Sequence, residues 1–346
     1  MPANPDLHCH SIVSDGLLTP ATLVERAKTN GVDLLALTDH DEIGGLDEAA
    51  ITAEASGLRF VTGVEISVSW GDDQTVHVVG LNFDHRHPDL VAGLARVRSG
   101  RDARAGRMAV ELAKVGIDGA YEGALKYVGN PALISRSHFA RYIVERGFAP
   151  DVKTVFDHWL AKDKPGYVSH SWAELTEAVD WIWAAGGIAV IAHPGRYRLT
   201  GAERRALYVA FKERGGQGIE VVSGSSNEAE IREFAGIARE FGFLASRASD
   251  FHGPGESWID LGRMVQLPSD LKPVWADWHL WPIISKSIRK TRSRASSRMR
   301  RRSSAKAGLR CFRPTRPMRW AAILAMQRCW IASGAFAASM SGITSR

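Results

Sequence analysis

Residues 19–41 read TPATLVERAKTNGVDLLALTDHD. Thr19 is a good helix N-cap, and Pro20 suits the first helical turn, where its missing N–H is not needed. An amphipathic helix over residues 21–30 follows, and Gly31 ends it. Leu34–Thr38 is then a short, wholly apolar run with one terminal threonine, as expected of a strand covered on both faces. Directly behind it stand Asp39, His40 and Asp41. One helix, one buried strand and a polar cluster at the strand's C-terminal end make up a single α/β unit.

The same grammar recurs along the chain. Apolar runs lie at Phe60–Ile66, Val76–Leu81, Ile188–Ala192, Ile219–Val222 and Leu244–Ala248, with helical patterns between most of them. This alternation predicts an α/β fold built on a parallel sheet or barrel. From about residue 90 to 168 the rhythm breaks into Arg- and Ala-rich helical sequence without a convincing strand. The expected organisation is therefore a discontinuous barrel, residues 1–90 and 168–280, carrying a small helical insertion, residues 91–167. Trp159, Trp172, Trp181 and Trp183 are spaced like helix core.

The net charge of +6 hides two opposite parts. Of 44 Lys and Arg, 16 fall in residues 281–346, where there is no acid; the first 280 residues thus hold 28 basic against 38 acidic groups, a balance of −10. An acidic body does not suggest non-specific nucleic-acid binding. The 281–346 tail reads as a disordered basic extension, a nucleic-acid-binding tail or an out-of-frame translation product, and the last is preferred. Its apolar stretch Trp320–Met340 contains Gln327 and Arg328, which argues against a membrane span. The first residues lack the basic and apolar regions of a signal peptide, and three cysteines do not make a disulfide framework. A cytoplasmic location is expected, with no obligate protein partner evident.

The chemistry gathers at strand ends. In DLHCHS, His8 and His10 lie two apart, so a strand would aim both imidazoles at one side and Cys9 at the other, where it packs as an inert small hydrophobe. Asp15 follows in SDG, His40 in TDHD, Glu65 in GVEIS, His77 in VHVVG, His193 in IAHPGR, and Asp250 and His252 in SDFHG. Any one of these histidines alone is better read as a hydrogen-bonded structural residue. Together they are six imidazoles and three carboxylates, most at the C-terminal ends of expected strands, where a parallel barrel places its site. Mixed nitrogen and oxygen donors suit divalent metals.

The ordered set DLHCHS, SDG, TDHD, GVEIS, VHVVG, IAHPGR and SDFHG resembles the motifs of the polymerase-and-histidinol-phosphatase (PHP) family, from about Pro5 to about Val274. The resemblance implies a distorted (β/α)7 barrel and a catalytic centre of two or three divalent ions, manganese first, with Mg, Fe or Zn as alternatives. It implies one ion held by His8, His10, Glu65 and Asp250; a second by Glu65, His77 and His193; and a third by Asp15, His40 and His252. Asp39 and Asp41 are expected to orient their neighbours, although a solvated turn acid is an equal reading of Asp41. Within the family, the segments ISRSHFAR (134–141), KPGYVSH (164–170) and GQGIE (216–220) are most similar to the branch that removes the 3′-phosphate from nucleoside 3′,5′-bisphosphates, with relatives acting as 5′-3′ exoribonucleases on short RNA.

A nucleotide or short-RNA substrate needs a cradle for its second phosphate. Candidates are the row Arg98, Arg101, Arg104 and Arg107, then Ser135, Arg136, His138, Lys164 and Arg196. Arginine binds phosphate bidentately; the bland reading of the row is a solvated helix face. His138 or His170 is a candidate proton donor to the leaving group. The expected activity is that of a phosphoric monoester hydrolase or phosphodiesterase, freeing 5′-nucleotides. Alternatives are a histidinol-phosphate phosphatase, a nucleic-acid binder acting through its tail, and a metal-storing or regulatory module without turnover.

Overall fold

The computed structural model describes residues 3–71 and 74–278, so the expectations for the 281–346 tail lie outside the described residues. Helix α1 spans Pro20–Thr29; the Thr19 side chain caps it by accepting from the Thr22 N–H, and Gly31 takes a positive φ of 82° just beyond it. Leu23, Val24 and Ala27 form its buried stripe. Strand β2 (Leu34–Leu37) is buried throughout and pairs in parallel with β1 (Pro5–Asp6) on one side and β3 (Arg59–Trp70) on the other. Its side chains alternate: Leu34 and Ala36 join the small cluster inside the sheet, while Leu35 and Leu37 join the large cluster beneath the helices.

β3 runs beyond the expected end at Ile66, and the chain turns after Trp70 into β4 (Gln74–Leu81), which pairs antiparallel with β3. β4 is also antiparallel to β6 (Ile188–Ile191), so the sheet is mixed rather than wholly parallel. A turn this short forces the reversal, because a parallel connection needs a dozen residues or more. The reversal brings the start of β4, with His77, level with the C-terminal ends of the other strands.

Parallel strands β7 (Gly218–Val222) and β8 (Leu244–Arg247) complete the order β1-β2-β3-β4-β6-β7-β8, and β5 (Ala173–Glu174) pairs with the end of β3. Beyond the named strands, the two edges meet. The Leu7 N–H donates to the Arg247 carbonyl (3.1 Å), the Asp250 N–H to that of His8 (2.8 Å) and the His10 N–H to that of Phe251 (2.8 Å). These bonds draw the sheet into a nearly closed barrel and set His8, His10 and Asp250 side by side.

Helices α2 (Leu46–Ser56), α8 (Leu175–Ala184), α9 (Gly201–Glu213) and α10 (Glu228–Phe241) belong to the strand–helix units. Between β4 and β5 come α3 (Pro88–Arg98), α4 (Arg101–Ala113), α5 (Ala120–Leu125), α6 (Arg136–Glu145) and α7 (Val152–Val155). The segment from α4 to α7 has its own apolar cluster, which includes Met108, Leu112, Phe139 and Ile143. The tryptophans do not behave alike. Trp183 is 71% exposed, and Trp172 precedes β5 with its indole N–H donating to Thr75 Oγ1 (3.1 Å). Helical spacing in the sequence says nothing about which face is covered.

Candidate metal centre

His8 and His10 follow β1 with their Nε2 atoms 3.1 Å apart, while Cys9 points the other way into the core. His8 Nδ1 lies 2.7 Å from Glu220 Oε1, and since a carboxylate only accepts, Nδ1–H donates there. Glu220 also accepts from the His193 backbone N–H (2.7 Å). It thus orients one imidazole and pins the turn that carries another. In the sequence Glu220 is visible only as the last residue of the GQGIE segment; its two partners lie 212 and 27 residues away along the chain.

Glu65 is the hub. Its Oε1 lies 2.7 Å from His77 Nδ1 and 2.8 Å from His193 Nε2. Its Oε2 lies 2.9 Å from His40 Nδ1, 3.3 Å from His8 Nε2 and 3.4 Å from His10 Nε2. Burial pushes this carboxyl up, and His40, His77 and His8 outweigh it, holding it well below the ordinary range. Conversely, burial lowers the His8 imidazole, but Glu65, Glu220 and Asp250 together raise it well above its usual value. His40 responds in the same way and reaches about 9 through Glu65 and Asp15, against burial. The centre demands positive charge.

A second group forms around Asp15. Its Oδ1 is 3.5 Å from His252 Nε2, 3.8 Å from His40 Nε2 and 3.9 Å from His10 Nδ1. His252 Nδ1–H donates to the Asp250 carbonyl (3.0 Å), which leaves its Nε2 turned toward the Asp15 carboxylate. Burial first, then His252 and His40, pushes His10 down to about 3, so it is neutral and donates from Nε2 to Asp250 Oδ1 (3.1 Å); its Nδ1 is an acceptor, and the buried Asp15 Oδ1 and His10 Nδ1 make no hydrogen bond. Buried acceptors left facing one another are rare without a cation between them. Metal–ligand bonds of about 2.1 Å put neighbouring donors roughly 3 to 3.5 Å apart, close to the separations here. The donors fit divalent ions, falling into the overlapping groups His8, His10, Glu65; His40, Glu65, His77; and His10, Asp15, His40, His252.

Backbone strain marks the same place. Asp41, His193 and Asp250 have positive φ (51°, 22° and 52°), three of the five non-glycine residues that do so among the described residues. Neither Asp39 nor Asp41 is a solvated turn acid. Asp39 accepts from the Ser11 N–H (2.8 Å), Ser11 Oγ (2.7 Å) and Ser14 Oγ (2.6 Å); burial pushes its carboxyl up to about 6 against those bonds. Asp41 is fully buried, accepts from the Ser67 N–H (2.7 Å) and Oγ (2.9 Å), and pairs with Arg101.

A cavity of about 650 Å³ opens over the centre. Its wall includes Asp15, His40, Glu65, His77, His193, Asp250 and His252 together with Arg101, Arg104, Ser135, Arg136 and Arg196. Arg101 and Arg104 lie against the Trp172 ring (4.8 and 5.2 Å), and Arg136 against Phe156 (5.6 Å). Burial, then Arg136 and Arg101, pushes Arg104 down to about 9, and burial lowers Arg136 as well. Among the described residues neither forms an ion pair with a carboxylate. Arg196 pairs with Asp250 and donates from Nε to Ser225 Oγ (3.3 Å).

The other expected contacts fall elsewhere. Arg98 donates to the Asp41 carbonyl (2.6 Å), Arg107 is exposed, and Lys164 is half-buried off the cavity wall. His138 is buried behind the wall, where its Nδ1 accepts from the Ser135 N–H (3.0 Å). Burial pushes His138 and His170 down to about 4, aided at His170 by Arg104 and Arg101. Both imidazoles are therefore neutral near pH 7 and neither lines the cavity, so neither is placed as a proton donor. Lys153, Phe156 and Arg198 line it without any sequence signal, and so do Trp172, whose spacing reads as helix core, and Tyr167, visible only within the KPGYVSH segment.

Glu220→Gln is expected to weaken metal affinity about 10- to 100-fold, the usual cost of losing a histidine's orienting carboxylate. Titration with a competing chelator measures it, and affinity equal to that of the native chain would refute the role.

The family model described as the PHP domain matches residues 6–184. The 3′,5′-nucleoside bisphosphate phosphatase of Chromobacterium violaceum is 50% identical over 275 residues, covering 80% of this chain and 96% of that protein. A 5′-3′ exoribonuclease of Haemophilus influenzae is 43% identical over 270 residues, covering 78% and 97%. Among solved structures, an amidohydrolase from Chromobacterium violaceum, with bound sulfate and no metal, is 50% identical with a TM-score of 0.76, covering 79% of this chain and 95% of that one.

Proposed function

The chain belongs to the PHP family, and on that premise we propose that it hydrolyses the 3′-phosphate of nucleoside 3′,5′-bisphosphates to give 5′-nucleotides, and degrades short RNA from its 5′ end by the same bond cleavage. One observation carries this reading: a cation-demanding cluster, the buried Arg101 and Arg104 and the half-buried Arg136 line a single cavity. The relatives named above support the substrate class, and the sulfate held by one of them supports a site for tetrahedral anions.

His8, His10, Glu65 and Asp250, then His77 and His193 with Glu65, and Asp15, His40 and His252 are the residues that would hold divalent ions, manganese first. When bound, such ions neutralise the phosphate and activate water for attack. The chain's own part is positional. Arg104 and Arg136 would grip the 5′-phosphate bidentately, and the distance from them to the centre would select which phosphate reacts. Residues 91–167 would then act as a ruler between the two phosphates. Arg196, paired with Asp250, lies where it can meet the reacting phosphate. A histidinol-phosphate substrate has no second phosphate for this cradle.

Among the described residues no helix is long and apolar enough to cross a membrane. The test is phosphate release from adenosine 3′,5′-bisphosphate by the full chain with Mn²⁺, beside His193→Ala and Arg136→Ala. Equal amounts of AMP and phosphate are expected, with turnover suppressed in both variants. A metal-loaded native protein that leaves this substrate untouched would defeat the substrate assignment.

A further inference from the structure

The two oxygens of Asp15 have different surroundings. Oδ1 makes no hydrogen bond and faces three imidazoles; Oδ2 lies 2.9 Å from Ser137 Oγ and 3.4 Å from Ser135 Oγ, both at the start of α6. One turn further along the same helix, Arg141 donates from Nη2 to the Asp15 carbonyl (2.5 Å). Its Nε and Nη2 also grip the two oxygens of Glu256, each at 2.7 Å. Glu256 belongs to the loop that begins at His252, and Ser257 Oγ in that loop accepts from the His252 N–H (2.7 Å). A single helix therefore touches Asp15 through side chain and backbone, and reaches the loop carrying His252 through a bidentate ion pair.

We propose that Ser137 and Arg141 are positioning residues for metal: α6 clips Asp15 and the His252 loop together, and so completes the cation group His10, Asp15, His40 and His252. A free aspartate would rotate about its side-chain bonds. Two hydroxyls fixed on Oδ2 leave Oδ1 aimed at the imidazoles, and a ligand held in this way costs less entropy to bind. Ser137 bonds the carboxylate directly, whereas Arg141 acts through the backbone and Glu256. The helical segment would then contribute to the metal centre itself and not only to the phosphate cradle.

The inference rests on the phosphoesterase reading for the presence of cations at the cluster. The experiment separates the two by titrating metal alone. Mn²⁺ binding to the full chain is measured without substrate, for the native protein, Ser137→Ala, Ser137→Thr and Glu256→Gln, with thermal unfolding of each. One class of Mn²⁺ is expected to weaken about 10- to 100-fold in Ser137→Ala while the remainder binds as before, with recovery in Ser137→Thr because the hydroxyl returns. Glu256→Gln, which leaves both serines intact, should weaken the same class and decides the matter if Ser137→Ala does not fold. Unchanged binding in Ser137→Ala and Glu256→Gln, or an equal loss across all classes, overturns the proposal. A native chain that takes up no Mn²⁺ overturns it together with the reading of the centre.

Discussion

Glu65→Gln lowers kcat/KM on adenosine 3′,5′-bisphosphate by at least about 10⁴-fold and strips bound metal, while the chain stays folded. This is the expected result because no other side chain touches so much of the centre. Five imidazole nitrogens lie within 3.4 Å of its two oxygens. Glutamine keeps the shape but removes the charge and turns one acceptor into a donor aimed at imidazole nitrogens. Cation stabilisation of a phosphoryl transition state is worth several kcal/mol, and about 5.5 kcal/mol corresponds to 10⁴ in rate. Glu220→Gln should cost far less, since Glu220 meets one imidazole side chain and one backbone N–H. Metal content by mass spectrometry and phosphate release together decide it. A glutamine variant that keeps its metal and a tenth of its turnover would remove Glu65 from the role of bridge.

Electrostatics explains why this substitution should not merely unfold the chain. Within the cluster His8 and His40 are raised, the latter to about 9, each against the cost of burial. Removing Glu65 takes away the main cause of both rises. The imidazoles can then return to neutrality, which burial favours. What is lost is the site's demand for a cation.

The fold and the residues gathered in the cluster were legible for local reasons. The N-cap at Thr19, the stop at Gly31 and the buried run Leu34–Leu37 each depend on neighbours in the chain, and each is found. His8 and His10 share a side because a strand has a period of two. The reversal of β4 was less visible, since the run Val76–Leu81 carries no sign of its direction. Its signal lay in the short interval after Ile66, which leaves no room for a crossover helix. The bracing residues were hidden for another reason. Glu220 meets His8, Arg141 meets Asp15, and Trp172 carries Arg101 and Arg104 only because barrel closure and helix packing bring distant segments together. Helical periodicity placed the arginine row on a face but could not show that Arg101 and Arg104 are covered while Arg107 is exposed.

That covering has a consequence for substrate choice. Arg104 is buried beside Arg101 and Arg136, and it is pushed down to about 9 by burial first and by those two neighbours next. A guanidinium in that state is destabilised in the free protein, and a phosphate dianion would relieve it. Charge-assisted hydrogen bonds of this kind contribute about 1.5 to 3 kcal/mol, or roughly 10- to 150-fold in kcat/KM for each arginine. Arg104→Met and Arg136→Met should each cost that much on adenosine 3′,5′-bisphosphate and little on adenosine 3′-monophosphate, which has no 5′-phosphate to hold. The double variant should fall short of the product of the two, because both side chains serve one anion. Lysine at either position should rescue poorly, since it cannot present a fork. Stability separates this role from a structural one. The lowered value means that the charged form is penalised in the folded state at pH 7, below both its folded and unfolded values, so removing the charge relieves the native state. Arg104→Met should therefore unfold no lower than the native chain. A clear drop in Tm with equal losses on the two nucleotides would make Arg104 a packing residue and leave the cradle to Arg136 alone.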